Sequence, residues 1–110
     1  MIVCTLVLTL SETDRRRVIT SLSPLIGSTR TQLGCQTCSL LFDAEEPRRL
    51  VLWEEWDTQD HLDRHLSSED YRLVLAAIDL SQDEPQMRFD SVATRGGLEV
   101  VEAARMPRTR

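Results

Sequence analysis

At the start of the chain, apolar residues alternate with β-branched or polar ones. Ile2, Cys4, Leu6, Leu8 and Leu10 fall on one side of an extended segment, and Val3, Thr5, Val7 and Thr9 on the other. This predicts a strand over 2–10 with the first set turned to the core. The period then changes. Ser11 with Asp14 three residues on is close to a capping box, and Val18, Leu22, Leu25, Ile26 and Thr29 recur at helical spacing. A helix is therefore expected to about residue 30. Pro24 lies inside it without a backbone N–H to donate, which predicts a kink or break near 23–27.

After Gly34 the pattern returns to alternation. Residues 35–43 read as a second strand with Cys38, Leu40 and Phe42 on one face. Residues 49–57 read as a third, with Leu50, Leu52, Glu54 and Trp56 on one face and Val51, Trp53 and Glu55 on the other. Asp57 or Thr58 caps a short helix to about 66. Ser67 or Ser68 caps another to about 80, with Tyr71, Val74, Leu75 and Ile78 inward. Glu84–Pro85 breaks the chain before a fourth strand over 86–94, and 98–106 has helix formers at helical spacing. The order β-α-β-β-α(α)-β-α predicts an α+β, ferredoxin-like split βαβ fold with a four-stranded antiparallel sheet. It makes residues 1–106 a single domain and 107–110 a frayed tail. Helices cover one sheet face. The other carries Val3, Val7, Val51 and Trp53, and a bare apolar face calls for a partner. A second copy packed face to face would cover it.

Composition narrows the function classes. At 110 residues the chain suits one domain with a real core. No apolar run reaches the roughly 18–20 residues of a membrane span, so no membrane role is expected. The start lacks a basic region and a small-residue cleavage site, and reads as strand rather than leader. The formal charge is −5 and the basic residues, all Arg, are scattered, which argues against nucleic acid as a partner. "DRRR" at 14–17 reads as a solvated helix face. Three cysteines, Cys4, Cys35 and Cys38, fit a reducing cytoplasm better than a disulfide framework. "CQTC" at 35–38 lacks the second ligand pair of a zinc site. Residues three apart in a regular strand point to opposite faces, so these thiols are expected to share no metal.

Residues 51–71 gather both tryptophans, both histidines and the only tyrosine amid a run of acids. "GC" at 34–35, E-x-W at Glu54 to Trp56, His65 on the next helix and S-x-x-Y at Ser68 to Tyr71 resemble the antibiotic biosynthesis monooxygenase family. The match in element order spans nearly the whole chain, with the motifs concentrated in 34–71. The resemblance implies a dimeric α+β barrel, a homodimer joined through the open sheet faces. It also implies oxygenation of a small aromatic or quinone-like molecule with no flavin, metal or haem as cofactor. In the haem-degrading branch of that family, the position of a ligand histidine is matched here by Leu75. In the autoinducer-processing branch a histidine precedes the tyrosine, where this chain has Asp70.

The strand period sets Glu54 and Trp56 on the core face, and the helix carrying His65 returns over it. His65 is the natural general base, with Glu54 beside it as the second catalytic candidate. Trp56 and Tyr71 are candidate walls and donors for a planar substrate, and Arg88 a candidate oxyanion donor. Trp53 points the other way, toward the dimer partner. Each residue also has a plain structural role available: His65 as a buried histidine satisfied by Glu54, Trp56 as core, Tyr71 as helix packing. A non-catalytic small-ligand-binding or structural dimer of the same fold is the alternative function.

Overall fold

The computed structural model describes residues 1–107; most of the tail expected at 107–110 lies outside the described residues. The elements are β1 (Ile2–Thr9), α1 (Glu12–Thr29), β2 (Cys35–Phe42), β3 (Arg49–Trp56), α2 (Gln59–Leu66), a 3-10 turn (Glu69–Tyr71), α3 (Arg72–Asp79), β4 (Gln86–Ser91) and α4 (Leu98–Arg105). The strands form one antiparallel sheet in the order β2-β3-β1-β4. This is the α+β architecture that the alternation of periods predicts.

The layers follow from the register. Leu6 pairs with Leu52 and Leu8 with Leu50, so these side chains share a face. They are buried with Val18, Leu22, Leu25 and Ile26 of α1 and with Val74 and Ala77 of α3. A smaller cluster at the other end of the sheet joins Ile2, Cys4, Trp56 and Leu62. Fully burying one such aliphatic side chain stabilises the fold by about 1.5–3 kcal/mol. On the opposite face Val3, Val7, Val51 and Trp53 line up, partly exposed except for Val3, and Leu41 is exposed at the edge.

Several expectations are corrected. Helix α1 is capped as predicted, the Asp14 N–H donating to Ser11 Oγ at 3.2 Å, but it is not broken: it runs through Pro24 to Thr29. Pro24 and Thr20 both lie on the exposed side, so the carbonyl that loses its N–H partner can meet water. Leu75 is not inward but 52% exposed, and Ala77 takes the buried place. The 3-10 turn holding Tyr71 winds tighter than an α-helix, and this rotates the phase of α3 relative to Tyr71. Strand β4 ends at Ser91 rather than 94, because Ser91 pairs with Ile2 at the start of β1 and little of that strand remains to pair.

The clearest correction concerns the thiols. A β-bulge between Cys35 and Thr37 adds a residue to β2, so Cys35 faces Trp56 and Cys38 faces Glu54. Those partners share one face of β3. Both thiols therefore lie on the core face, and the opposite-face argument fails. They are nonetheless free cysteines, and among the described residues no three His, Cys, Asp or Glu side chains gather as a metal site.

The chain beyond β4 leaves the body. Arg95 reaches back to Glu55 on the bare face, Nη2 to Oε2 at 2.5 Å, and Thr37 Oγ1 donates to the other oxygen of Glu55 at 3.0 Å. Helix α4 follows with none of its residues buried. The radius of gyration, 16.7 Å, reflects this arm; a compact chain of this length would have about 13 Å. No helix among the described residues is long and apolar enough to cross a membrane.

Candidate active site

Four of the residues singled out in the sequence converge under the helices. Glu54 and Trp56 sit two apart on the core face of β3, with Glu54 4% and Trp56 0% exposed. Thr58 caps α2 by accepting the His61 N–H, and this turns the helix back over that face. His65, in the last turn of α2, is buried as well. Its ring stacks on the Trp56 indole at 4.7 Å between centroids and 27° between planes. Tyr71 presents its ring edge-on to His65 at 5.3 Å.

The polar atoms are few and specifically placed. Trp56 Nε1–H donates to Glu54 Oε1 at 2.8 Å. His65 Nε2 lies 3.2 Å from the same oxygen. That separation is within ion-pair range, yet the angles do not make a hydrogen bond, and Nε2 is buried without a hydrogen-bond partner among the described residues. Hydrogen bonds weaken steeply off axis while a charge interaction does not, so the contact is one of proximity and charge. At the other end of the ring, Nδ1 is 3.0 Å from Gln32 Oε1. A buried carboxyl group is costly unless it is hydrogen-bonded and paired, and Glu54 has its partners from Trp56 and His65.

Gln32 is a member that sequence reasoning missed. It lies in the turn after α1, 33 positions from His65, and no periodicity or motif marks it. Arg88 is the one candidate that the fold does not bring to the cluster. It pairs with Thr5 in register, so it belongs to the bare sheet face. There it pairs with Asp90 at 2.9 Å and lines a shallow concavity of about 410 Å³ with Thr5, Val7 and Gln86. His61, at the start of α2, is paired with Asp57 at 2.7 Å, outside the cluster.

The space around the ring is small. One cavity of about 10 Å³ lies between His65 and Glu54 on one side and Leu22, Leu25, Cys38 and Val74 on the other. A second, also about 10 Å³, separates Glu54 and Tyr71 from Leu66, Met87 and Phe89. Each suits about one water molecule. Met87 and Phe89 are exposed, which makes β4 the side from which this cavity meets the surface. A wider groove of about 230 Å³ between α1 and α3 is lined by none of the four cluster residues.

Burial keeps the surrounding acids neutral. It pushes the Tyr71 hydroxyl up to about 12, with Glu54 and then Cys4 adding to the effect. It does the same to the Cys4 thiol, raised to about 12 with help from Glu54. The Cys38 thiol also rises to about 12, through burial first and then Glu54 and Cys35. Tyr71 can therefore donate a hydrogen bond throughout the neutral range, and these thiols are poor nucleophiles.

A model of the antibiotic biosynthesis monooxygenase family matches residues 1–77. No curated protein matches. Among solved structures, one described as an antibiotic biosynthesis monooxygenase is 21% identical, covers 86% of this chain and 100% of its own, and superposes with a TM-score of 0.75. Rv0793 from Mycobacterium tuberculosis is 20% identical over 87% of this chain and 98% of its own, with a TM-score of 0.77. A conserved protein from Methanosarcina mazei Go1 is 19% identical over 81% and 89%, with a TM-score of 0.76. At these identities the likeness shows the fold.

The raised ionisations give a direct expectation for alkaline stability. In the unfolded chain the thiols and phenol lose their protons near their ordinary values of 9.0 and 10.0, while the folded chain keeps them to about 12. Between these limits the folded state binds more protons, so its stability is complete below about pH 9 and falls as pH rises toward 12. Thermal melts from pH 7 to 11 should show that fall, and Tyr71→Phe should flatten its upper part. A flat profile in both proteins contradicts the burial assigned to these groups.

Proposed function

This chain belongs to the antibiotic biosynthesis monooxygenase family, and we propose that it is a cytoplasmic, cofactor-independent monooxygenase acting on a small aromatic or quinone-like molecule. The observation that carries the reading is the buried His65–Glu54–Trp56 cluster, in which His65 Nε2 has a carboxyl neighbour but no hydrogen-bond partner among the described residues. A ring nitrogen in that state is unobstructed by any competing hydrogen bond and is placed to act as a general base.

The substrate class is one whose anion can reduce dioxygen, such as a phenol or a methylene beside an aromatic carbonyl. His65 removes the proton, and Glu54 stabilises the imidazolium. For the methylene, the electron pair left on carbon forms a C–O bond to dioxygen. The peroxide anion so formed takes the proton back from His65 to give a hydroperoxide, which loses water to leave a carbonyl. CH₂ and O₂ become C=O and H₂O, with no outside reductant. Trp56 and Tyr71 would hold the ring and keep water out, and the Tyr71 hydroxyl would donate to the developing oxyanion. Arg88, on the far face, has no part in this step within one copy. Entry would displace Met87 or Phe89 at the β4 side, since the cavities as they stand admit about one water each.

That small volume favours a second reading, a non-catalytic small-ligand-binding or structural dimer in which the cluster only ties β3 to α2. Oxygen uptake with a panel of quinols and anthrones separates the two. The first reading expects uptake with at least one of them, lowered about 100-fold or more in His65→Asn. Uptake no faster than in buffer across the panel leaves the second.

The same proposal makes the protein a homodimer through its open sheet face. Val7, Val51, Trp53 and Leu41 on that face support it. So does α4, whose Leu98, Val100 and Val101 are more than half exposed in a helix too short to persist alone. A stable interface of this kind buries more than about 1,200 Å². Sedimentation should give twice the 12.6 kDa chain mass, and Trp53→Glu should give monomer or insoluble protein. A monomeric wild type at micromolar concentration contradicts the assignment.

A further inference from the structure

Gln32 is tied into the turn after α1 by backbone hydrogen bonds on both sides. Its backbone N–H donates to the Thr29 carbonyl at 3.0 Å, and its own carbonyl accepts from the Cys35 N–H at 3.1 Å. The turn that holds it ends at Gly34, whose φ of +89° suits glycine and where a Cβ would run into Asp57 and His61. From this fixed base the side chain extends to His65 and places Oε1 3.0 Å from Nδ1. An amide oxygen only accepts, so with Oε1 turned to the ring the hydrogen of a neutral imidazole lies on Nδ1. Nε2 then carries a lone pair, buried and without a hydrogen-bond partner among the described residues.

We propose that Gln32 is a positioning residue for His65: by accepting the Nδ1 hydrogen it holds the imidazole in the tautomer whose Nε2 is free to take a proton. This rests on the reading of His65 as the base. Histidine in water prefers the opposite tautomer, with its hydrogen on Nε2. In that form Nε2 would carry the hydrogen, off the axis to Glu54 Oε1 3.2 Å away, and have nothing with which to accept a substrate proton on that side. Gln32 reverses the preference. Once Nε2 is protonated, both ring nitrogens carry hydrogens: Nδ1 keeps Gln32 Oε1 as its acceptor, and the charge on the ring lies 3.2 Å from Glu54 Oε1, within ion-pair range. The proton is thus received beside a carboxyl oxygen rather than in purely apolar surroundings.

The ionisable groups on the surrounding elements are Glu54 on β3, Tyr71 in the 3-10 turn, Cys4 on β1, and Cys35 and Cys38 on β2. Arg30 follows α1 and donates from Nε to the Cys38 carbonyl at 2.8 Å. None of these contacts Nδ1, which leaves Gln32 as its partner.

The test is a long-range proton–nitrogen spectrum of protein labelled with ¹⁵N-histidine, taken where the rings are neutral. With only His61 and His65 to resolve, His61→Asn assigns both. Wild type should show His65 protonated at Nδ1 and pyridine-like at Nε2. Gln32→Glu keeps an acceptor at the same place and should retain that pattern. Gln32→Met removes it and should shift most of the His65 population to the Nε2–H tautomer. A wild-type ring with its hydrogen on Nε2 overturns the proposal. So does a Gln32→Met protein that is destabilised but keeps the wild-type tautomer, since Gln32 would then only pack. Should Gln32→Met fail to fold, the wild-type and Gln32→Glu spectra still decide. The measurement uses no substrate, so it can fail or succeed independently of oxygen uptake.

Discussion

Glu54 is a carboxyl side chain placed in the middle of a hydrophobic layer, and the arrangement on the helix side of the sheet answers to it. Leaving such a group unpaired would cost several kcal/mol. Its neighbour two residues on, Trp56, shares its face by the strand period and supplies an indole N–H at 2.8 Å. The helix that crosses above supplies His65 at 3.2 Å. The two tryptophans of the central stretch thereby divide their duties. Trp56 belongs to this buried cluster, while Trp53 stands on the open face of the same strand.

The elements around the cluster can be understood by what they deliver to it. Strand β1 pairs with β3 in register and brings Cys4 opposite Glu54. The β2 bulge brings Cys38 to the other side of Glu54. The Thr58 cap sets where α2 begins, and so places His65 in its last turn over β3. The 3-10 turn then lets Tyr71 present its edge to the imidazole. Buried neutral thiols and a neutral phenol surround the Glu54–His65 pair.

Much of this was legible in the sequence. Alternation located all four strands, and capping residues located α1 and α2. The E-x-W spacing on β3 and the helical offset of His65 were enough to foresee that Glu54, Trp56 and His65 would meet. What escaped was whatever depends on a local departure from a regular period. One extra residue at 35–37 reversed the facing of Cys35, and a turn of 3-10 helix exchanged Leu75 for Ala77. Arg88 has the residue type of an oxyanion donor, but its strand parity, opposite Thr5, assigns it to the other face. Gln32 was invisible because a contact between a turn and a helix 33 positions away leaves no trace in composition or spacing. Pro24 misled in the opposite sense, since a proline on the wet side of a helix need not break it.

The buried cluster depends on Glu54 and His65 being energetically linked rather than merely adjacent, and a double-mutant cycle measures that link. Glu54→Leu, His65→Leu and the double variant would be compared with wild type by urea unfolding at pH 7. The Trp56 N–H loses its acceptor equally in Glu54→Leu and in the double variant, so it cancels from the cycle. Each single change should cost about 1–3 kcal/mol, because it removes a buried polar contact. The double should be less destabilised than the sum of the two by at least about 1 kcal/mol. Losses that add within about 0.5 kcal/mol would contradict the account, leaving two buried polar residues that happen to lie near each other.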